Sequence, residues 1–83
     1  MSVGERFGAN LARCRDEAGL TQEVVSHMAG LHRTEIGLLE RGGRIPRIDT
    51  LVKLAAAVDV RPEALLEGIV WQPGQFRPGQ FNA

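Results

Sequence analysis

Arginine side chains cluster in one part of this chain, where together they could bind an anionic ligand. Arg41, Arg44 and Arg47 lie within one seven-residue stretch, and Arg33 and Lys53 flank it. Guanidinium groups bind phosphate oxygens and the acceptor edges of bases, so such a cluster is typical of a surface that binds a polyanion. Against this, 10 basic and 10 acidic side chains give a formal net charge of +0, whereas domains that bind nucleic acid are often basic. A local basic surface is predicted, and a solvated loop is the alternative.

The other reactive side chains form no catalytic or metal-binding set. His27 and His32 have no Cys or Asp neighbour at metal-ligand spacing. There is no glycine-rich phosphate loop after a strand and no nucleophile motif. The single cysteine, Cys14, falls on the apolar stripe of a predicted helix, where a small core residue is expected. We therefore expect no enzymatic activity, no metal and no cofactor.

Length and composition restrict the architecture. A chain of 83 residues accommodates one small domain with a thin core. The longest apolar runs, such as Leu54–Val58, are far shorter than the ~20 residues of a membrane span. The N-terminal sequence MSVGERFGAN lacks the basic segment and apolar segment of a signal peptide. The sequence therefore predicts a cytoplasmic protein without a membrane partner.

Capping signals and apolar periodicity predict five helices and an all-α fold. Ser2 followed by Glu5 has the form of a capping box, and Gly19, Gly30 and Gly42 stand where helices are expected to end. The predicted helices are Val3–Ala18, Gln22–Ala29, His32–Arg41, Ile48–Val58 and Pro62–Glu67. We interpret residues 1–68 as one compact domain.

Residues 69–83 differ in character from that domain. The sequence PGQF occurs twice, at Pro73–Phe76 and Pro78–Phe81. The prolines and glycines exclude a helix, so a short non-helical tail is predicted. Three of the four aromatic residues of the chain lie in this tail, which makes it a candidate for contact with another subunit or protein.

The stretch Thr21–Gly42 has the clearest functional pattern. Ser26 and Ala29 are small enough for two helices to cross closely, and Gly30 supplies the positive φ that a tight turn needs. The outer side of the following helix then carries His32, Arg33, Thr34, Gly37 and Leu38. Periodicity alone also fits two ordinary packed helices.

Residues 20–68 resemble the phage repressor and Cro-type helix-turn-helix family of the xenobiotic-response-element type. The resemblance lies in LTQEVVSHMAGLHRTEIGLLERGGRIPRIDTLVKLAAAVDV and, after Arg61, PEALLEG. The family includes small bacterial regulators such as restriction-modification controller proteins. The resemblance implies a compact five-helix, repressor-like domain that places residues 32–41 in the major groove of double-stranded DNA.

The resemblance also implies roles for individual residues. Gln22 would bind a phosphate at a helix N-terminus, and Arg33 would pair with guanine, a contact worth roughly 1–3 kcal/mol of discrimination. Leu38 would contact a thymine methyl group or simply pack inward. Gly37 costs roughly 1 kcal/mol relative to alanine in a helix interior, which is reasonable if a side chain there would strike DNA or the second helix. The implied DNA-contact set is Thr21, Gln22, His32, Arg33, Thr34, Leu38, Arg41, Arg44 and Arg47.

Two further contacts follow from the resemblance. Arg15 is expected to form a structural ion pair with Glu40. A dimer interface is expected from the fifth helix and the residues after it, with Trp71 at its centre, or else the tail folds onto its own domain or stays mobile. The expected interface residues are Leu65, Leu66, Ile69, Val70, Trp71 and Phe76.

Three functions remain open at this point. The first is a sequence-specific, dimeric transcriptional repressor. The second is an antitoxin-type regulator whose C-terminal tail binds a partner toxin. The third is a protein-interaction module that has lost DNA binding, for which the zero net charge, Glu35 and Leu38 are the support.

Overall fold

The helices form where local sequence signals predict them. The computed structural model describes residues 1–83 and contains four α-helices: α1 (Val3–Glu17), α2 (Gln22–Ala29), α3 (Arg33–Glu40) and α4 (Ile48–Ala57). A 3₁₀-helix follows at Pro62–Leu66, and strands β1 (Val70–Gln72) and β2 (Gln80–Asn82) form an antiparallel hairpin. The first four predicted helices are confirmed, each to within one residue at either end.

Hydrogen bonds account for the start of α1 and the end of α3. At the start of α1, Ser2 Oγ accepts from the Glu5 N–H (3.1 Å) and Glu5 Oε1 accepts from the Ser2 N–H (2.9 Å), which completes a capping box. At the end of α3, the N–H groups of Gly42 and Gly43 donate to carbonyls of the last turn at 3.1 and 3.0 Å. This is a Schellman motif, and it requires the left-handed φ of +77° that Gly42 adopts.

The helices enclose one core of 13 buried apolar residues. Phe7 and Leu11 of α1, Ile36 and Leu39 of α3, and Leu54 of α4 are fully buried in it. Complete burial of a side chain of this size contributes about 1.5–3 kcal/mol. Because α3 packs against α1 and α2, its inner face is fixed and its outer face has a defined orientation.

Gly8 and Asn10 fix the position of α1 against the end of α3 and the 3₁₀-helix. A Cβ on Gly8 would clash with the carbonyl oxygens of Leu39 and Glu40, so only glycine permits this approach of α1 to the end of α3. Asn10 is 1% exposed, and its Nδ2 donates to a carbonyl of the 3₁₀-helix and to the Glu67 carbonyl at 3.0 and 2.8 Å. Neither contact is visible in the sequence, because both partners are distant in the chain.

The predicted fifth helix and tail both need correction. Pro62–Leu66 is a 3₁₀-helix and not the expected α-helix, since a five-residue segment gains too few i→i+4 hydrogen bonds to offset helix nucleation. Residues 69–83 are non-helical, as predicted, but they include a two-stranded sheet that pairs Val70 with Asn82, Trp71 with Phe81 and Gln72 with Gln80. The fold is therefore mainly helical and repressor-like, with four α-helices rather than five.

The hairpin extends away from the helices. The molecule as a whole is elongated and measures 46 × 21 × 20 Å along its principal axes. Ile69 packs against the core, and beyond it the strands contact mainly each other. The division into a domain of residues 1–68 and a tail remains our interpretation.

Candidate nucleic-acid interface

The orientation of α3 is set by the turn that joins it to α2. Thr21 is the N-cap of α2, and its Oγ1 accepts from the Val24 N–H at 3.1 Å. Gly30 ends α2 with φ of +68°, and the Leu31 N–H returns to the Ser26 carbonyl at 2.9 Å. This turn directs α3 so that its first residues face solvent.

The first turn of α3 is exposed beside the start of α2. His32 is the N-cap of α3 but its side chain caps no N–H group, and His32, Arg33 and Thr34 are all exposed. A shallow recess in this surface is lined by Gln22, Arg33, Thr34, Gly37 and Arg41. Two separate helices therefore contribute to one concave, polar surface.

Three arginines of the expected contact set have no acidic partner. Arg33, Arg41 and Arg44 are exposed and form no ion pair within 4 Å. Arg47 Nε lies 3.4 Å from Asp49 Oδ1, and the two side chains are 85% and 56% exposed. An ion pair this exposed is weak, so Asp49 competes poorly with an external anion for Arg47. The positive charge of this region is thus available to an anion.

Arg15 and Glu40 form an ion pair close to this surface. Arg15 Nε and Nη2 donate to the two carboxylate oxygens of Glu40 at 2.6 and 3.0 Å, and the side chains are 16% and 8% exposed. The hydrogen bonds to Glu40 raise the pKa of Arg15 further above its usual range. Glu40 Oε1 also accepts from Gln22 Nε2 at 3.0 Å. One carboxylate therefore joins α1, α2 and α3.

The contact with Glu40 fixes the side-chain amide of Gln22. Because a carboxylate only accepts hydrogen bonds, the NH₂ group must face Glu40. The amide oxygen then faces the recess, 3.8 Å from the position that a Cβ of Gly37 would occupy. One of the two N–H bonds of the Gln22 side-chain amide is therefore used within the protein.

Leu38 does not project from the surface as a free side chain. It is half-buried, and its Cδ1 lies so close to Gly43 that a Cβ there would clash with it. Of the two roles left open for Leu38, this position favours packing against the Gly42–Gly43 turn over contact with a thymine methyl group.

The residues expected at a dimer interface fall into two groups. Leu65 is fully buried in the core of its own domain, so its assignment to a subunit interface is wrong. Ile69 is half-buried and also packs against that core. The exposed members are Leu66 (42%), Val70 (57%), Trp71 (50%) and Phe76 (100%).

The hairpin has one aromatic face. Trp71 and Phe81 lie opposite each other in the strand register, with ring centroids 5.0 Å apart and planes at 70°. The indole ring also lies across Gly79, where a Cβ would be 2.6 Å from a ring carbon. Both rings are about half exposed. Phe81, which the sequence offers as an extension of the interface, therefore shares one face of the hairpin with Trp71.

Metal-binding clusters and membrane-spanning helices are the two other features considered. No group of three or more His, Cys, Asp or Glu side chains is arranged to hold a metal ion. None of the helices has both the length and the apolar character needed to cross a membrane.

Comparison with known proteins identifies the family. A helix-turn-helix family model matches residues 11–65, which is more than half of the chain. The chain belongs to this helix-turn-helix family. The uncharacterised HTH-type transcriptional regulator y4dJ of Sinorhizobium fredii is 43% identical over 60 residues, which cover 72% of this chain and 78% of that protein.

Solved structures agree with this assignment. The restriction-modification controller protein C.AhdI from Aeromonas hydrophila superposes with a TM-score of 0.72 at 37% identity, over 75% of this chain and 94% of that chain. The P22 c2 repressor in complex with synthetic operator 9T superposes with a TM-score of 0.69 at 26% identity, over 75% and 94% of the two chains. The predicted resemblance to phage repressors and controller proteins is confirmed.

Proposed function

We propose that this protein is a DNA-binding transcriptional regulator that acts as a homodimeric repressor. The observation that carries the proposal is the exposed recess beside α3, where Arg33 and Arg41 have no acidic partner. Membership of the helix-turn-helix family and similarity to the operator-bound P22 c2 repressor support it. The unpaired arginines argue against an interaction module that has lost DNA binding.

In this proposal the surface divides into base contacts and phosphate contacts. Arg33 enters the major groove and donates to O6 and N7 of a guanine, and Thr34 and His32 contact neighbouring groups. The N-terminus of α2, with Thr21 and Gln22, receives a phosphate. Phosphates along the adjacent backbone are bound by Arg44 and Arg47, and Arg41 binds a phosphate or a base from the recess. Leu38 supports the turn and contacts no base.

The hairpin is the proposed contact between two subunits. Two strands without a further layer are marginally stable in water, yet the face that carries Trp71 and Phe81 is half exposed. Packing this face against its copy would cover both rings, and paired helix-turn-helix subunits commonly bind half-sites about 34 Å apart. Leu66, Val70 and Phe76 lie on or near the same extension.

DNA binding is tested with duplexes that the wild-type protein enriches from a random-sequence pool. Arg33→Ala is expected to weaken binding to the enriched duplex by about 5- to 150-fold per half-site, which corresponds to the loss of one base pairing worth about 1–3 kcal/mol. Arg61→Ala is the matched control, because Arg61 is 86% exposed and pairs only with Glu63. Equal binding by wild type and Arg33→Ala would remove the role of Arg33, and the absence of any enrichment would remove the function.

Salt dependence tests the phosphate contacts. If Arg41, Arg44 and Arg47 each neutralise one phosphate, a dimer makes six such contacts. The logarithm of the affinity should then fall with the logarithm of the salt concentration at a slope of about −5. A slope near zero would contradict the proposal. Repression itself is tested with a reporter joined to the DNA upstream of the coding gene, whose output should fall when the protein is expressed.

The subunit contact is tested by analytical ultracentrifugation. Trp71→Ala is expected to shift the protein from dimer towards monomer, because an aromatic residue at the centre of an interface contributes most of its affinity. Gln72→Ala changes the opposite face of the same strand and serves as the control. If Trp71→Ala dimerises as the wild type does, the hairpin is not the contact.

One alternative role is favoured by the same hairpin. If the wild-type protein is a monomer that still binds DNA, the exposed aromatic face is available to a different protein, as in an antitoxin that binds its toxin. Co-purification with the product of a neighbouring small gene, abolished by Trp71→Ala, would support that function.

A further inference from the structure

Gly37 occupies an unusual position in the middle of α3. Glycine destabilises a helix interior by about 1 kcal/mol relative to alanine, and the backbone of Gly37 does not require it, because its φ is not positive. The residue belongs to the outer surface of α3 and lines the recess, yet it is buried. Another side chain of the protein must therefore cover it.

The side chain that covers Gly37 is that of Arg41. A Cβ on Gly37 would lie 3.1 Å from Arg41 Nη1 and 3.9 Å from Arg41 Cζ. Arg41 is the C-cap of α3, four residues further along the same face. Its guanidinium thus lies back along the helix, in the space that a side chain at position 37 would fill. The nearest atom of α2, Gln22 Oε1, lies 3.8 Å from the same Cβ position, which is an ordinary van der Waals contact.

This position brings two guanidinium groups to one recess. Arg33 and Arg41 both line it, together with Thr34 and the amide of Gln22. No acidic side chain lines it, and the carboxylate of Glu40 is occupied by Arg15 and Gln22. Two guanidinium groups without a counter-charge suit a ligand that presents paired acceptors.

We infer that Gly37 determines DNA affinity by leaving room for the Arg41 guanidinium over the middle of α3. From this position Arg41 binds a paired acceptor of the DNA, either two phosphate oxygens or O6 and N7 of a guanine. Gly37 is a positioning residue that acts through Arg41. The inference rests on the proposed DNA-binding function and adds to it the reason for a glycine at this point.

A double-mutant cycle tests the inference on the duplex enriched from the random pool. Gly37→Met adds an unbranched, uncharged side chain that must displace the guanidinium. It should weaken binding by about tenfold per half-site, in the range expected for losing one arginine contact to DNA. In the Arg41→Ala background the same substitution should change binding less than about twofold, because the group that it displaces is already gone. Ala56→Met places the same side chain at an exposed site of α4 and should leave binding unchanged.

The outcomes are distinct. A loss from Gly37→Met that persists in the Arg41→Ala background would overturn the inference, because the new side chain would then obstruct DNA directly. No loss in either background would also overturn it. If the pool yields no enriched duplex, the proposed function fails and the inference with it. Circular dichroism should show that Gly37→Met is folded and at least as helical as the wild type.

The source of the acceptors is assigned by two further measurements on Arg41→Ala. If Arg41 binds a phosphate, the salt slope should become shallower by about 0.9 for each phosphate that is no longer neutralised, and all sequences should weaken alike. If Arg41 binds a guanine, the preference at one base pair of the enriched site should relax while the slope stays unchanged. Either result supports the inference and identifies the ligand atoms.

Discussion

Removal of Arg15 tests whether the charge network behind α3 stabilises the fold. In Arg15→Met the aliphatic stem is retained, but Glu40 loses two hydrogen bonds of 2.6 and 3.0 Å and keeps only the one from Gln22. The Leu20 carbonyl also loses a donor at 2.9 Å. Breaking one side of a buried pair costs about 3–5 kcal/mol. Because Arg15 retains 16% exposure, we expect the lower end, about 3 kcal/mol.

That loss is large for a domain of this size. Total stability is about 0.05–0.15 kcal/mol per residue, so the substitution should remove roughly a quarter to three quarters of the free energy of unfolding. Each kcal/mol shifts Tm by about 4–8 °C in a domain of 60–100 residues, which predicts a decrease of roughly 12–24 °C. Thermal and urea unfolding followed by circular dichroism measure both quantities.

Two further variants separate the ion pair from other effects of the substitution. Arg61→Met breaks an Arg–Glu contact of 3.0 Å whose side chains are 86% and 68% exposed, so it should destabilise the fold far less than Arg15→Met. In Arg15→Met/Glu40→Met no unpaired charge remains, so the double variant should be more stable than the sum of the single losses predicts. The reasoning is refuted if Arg15→Met loses no more than Arg61→Met, or if the two losses simply add.

Three other substitutions test the contacts that hold α1. Gly8→Ala should destabilise the fold by more than Gly19→Ala, and urea unfolding compares the two. A Cβ on Gly8 meets two carbonyl oxygens, whereas a Cβ on Gly19 meets nothing within 4 Å. Gly19→Ala therefore carries only the backbone strain of φ +72°, about 1–2 kcal/mol. Asn10→Leu should cost roughly 2–6 kcal/mol in the same assay, since two carbonyls lose their donor at about 1–3 kcal/mol for each unsatisfied group. The capping hydrogen bonds with Ser2 lower the pKa of Glu5, so the unfolded chain binds its proton more readily than the folded one. The contribution of Glu5 to stability is therefore present at neutral pH and lost as the pH falls through its lowered folded pKa. The difference in unfolding free energy between wild type and Glu5→Ala should narrow as the pH is lowered from neutral into that acid range.

Local signals made the helices predictable. The capping box of α1, the Thr21 cap of α2 and the glycines after α1, α2 and α3 act within a few residues of the chain. Apolar periodicity alone placed α4, and all four helices were predicted to within one residue at either end. The 3₁₀-helix was mistaken for an α-helix because its apolar spacing is short enough to fit both. The hairpin was missed because three-residue strands such as Val70–Gln72 are too short for an alternating pattern. No two-residue hairpin turn marks the connection either.

Contacts between residues far apart in the chain were harder to predict from the sequence. The burial of Leu65 could not be distinguished from that of an interface residue, because both require an apolar side chain. Asn10 carried no signal, since a buried asparagine looks like a surface one until its partners are known. At Gly37 the sequence indicated that a side chain was excluded and left open what excluded it. In the structure the nearest neighbour of that space is the guanidinium of Arg41, whose Nη1 lies 3.1 Å from the position of a Cβ.

Ion pairing explains how a chain of zero net charge can carry a basic surface. Arg13, Arg15 and Arg61 each have an acidic partner within 4 Å, so much of the negative charge is compensated on the body of the domain. Arg33 and Arg41 are uncompensated, and both line the recess beside α3. With a Debye length of about 8 Å at physiological salt, a ligand responds to the nearest charges and not to the molecular total. The sum of charges was therefore the wrong quantity to weigh against DNA binding. A neutral molecule with one basic face is attracted to a polyanion mainly when that face approaches it, because the charges on its other faces largely offset one another.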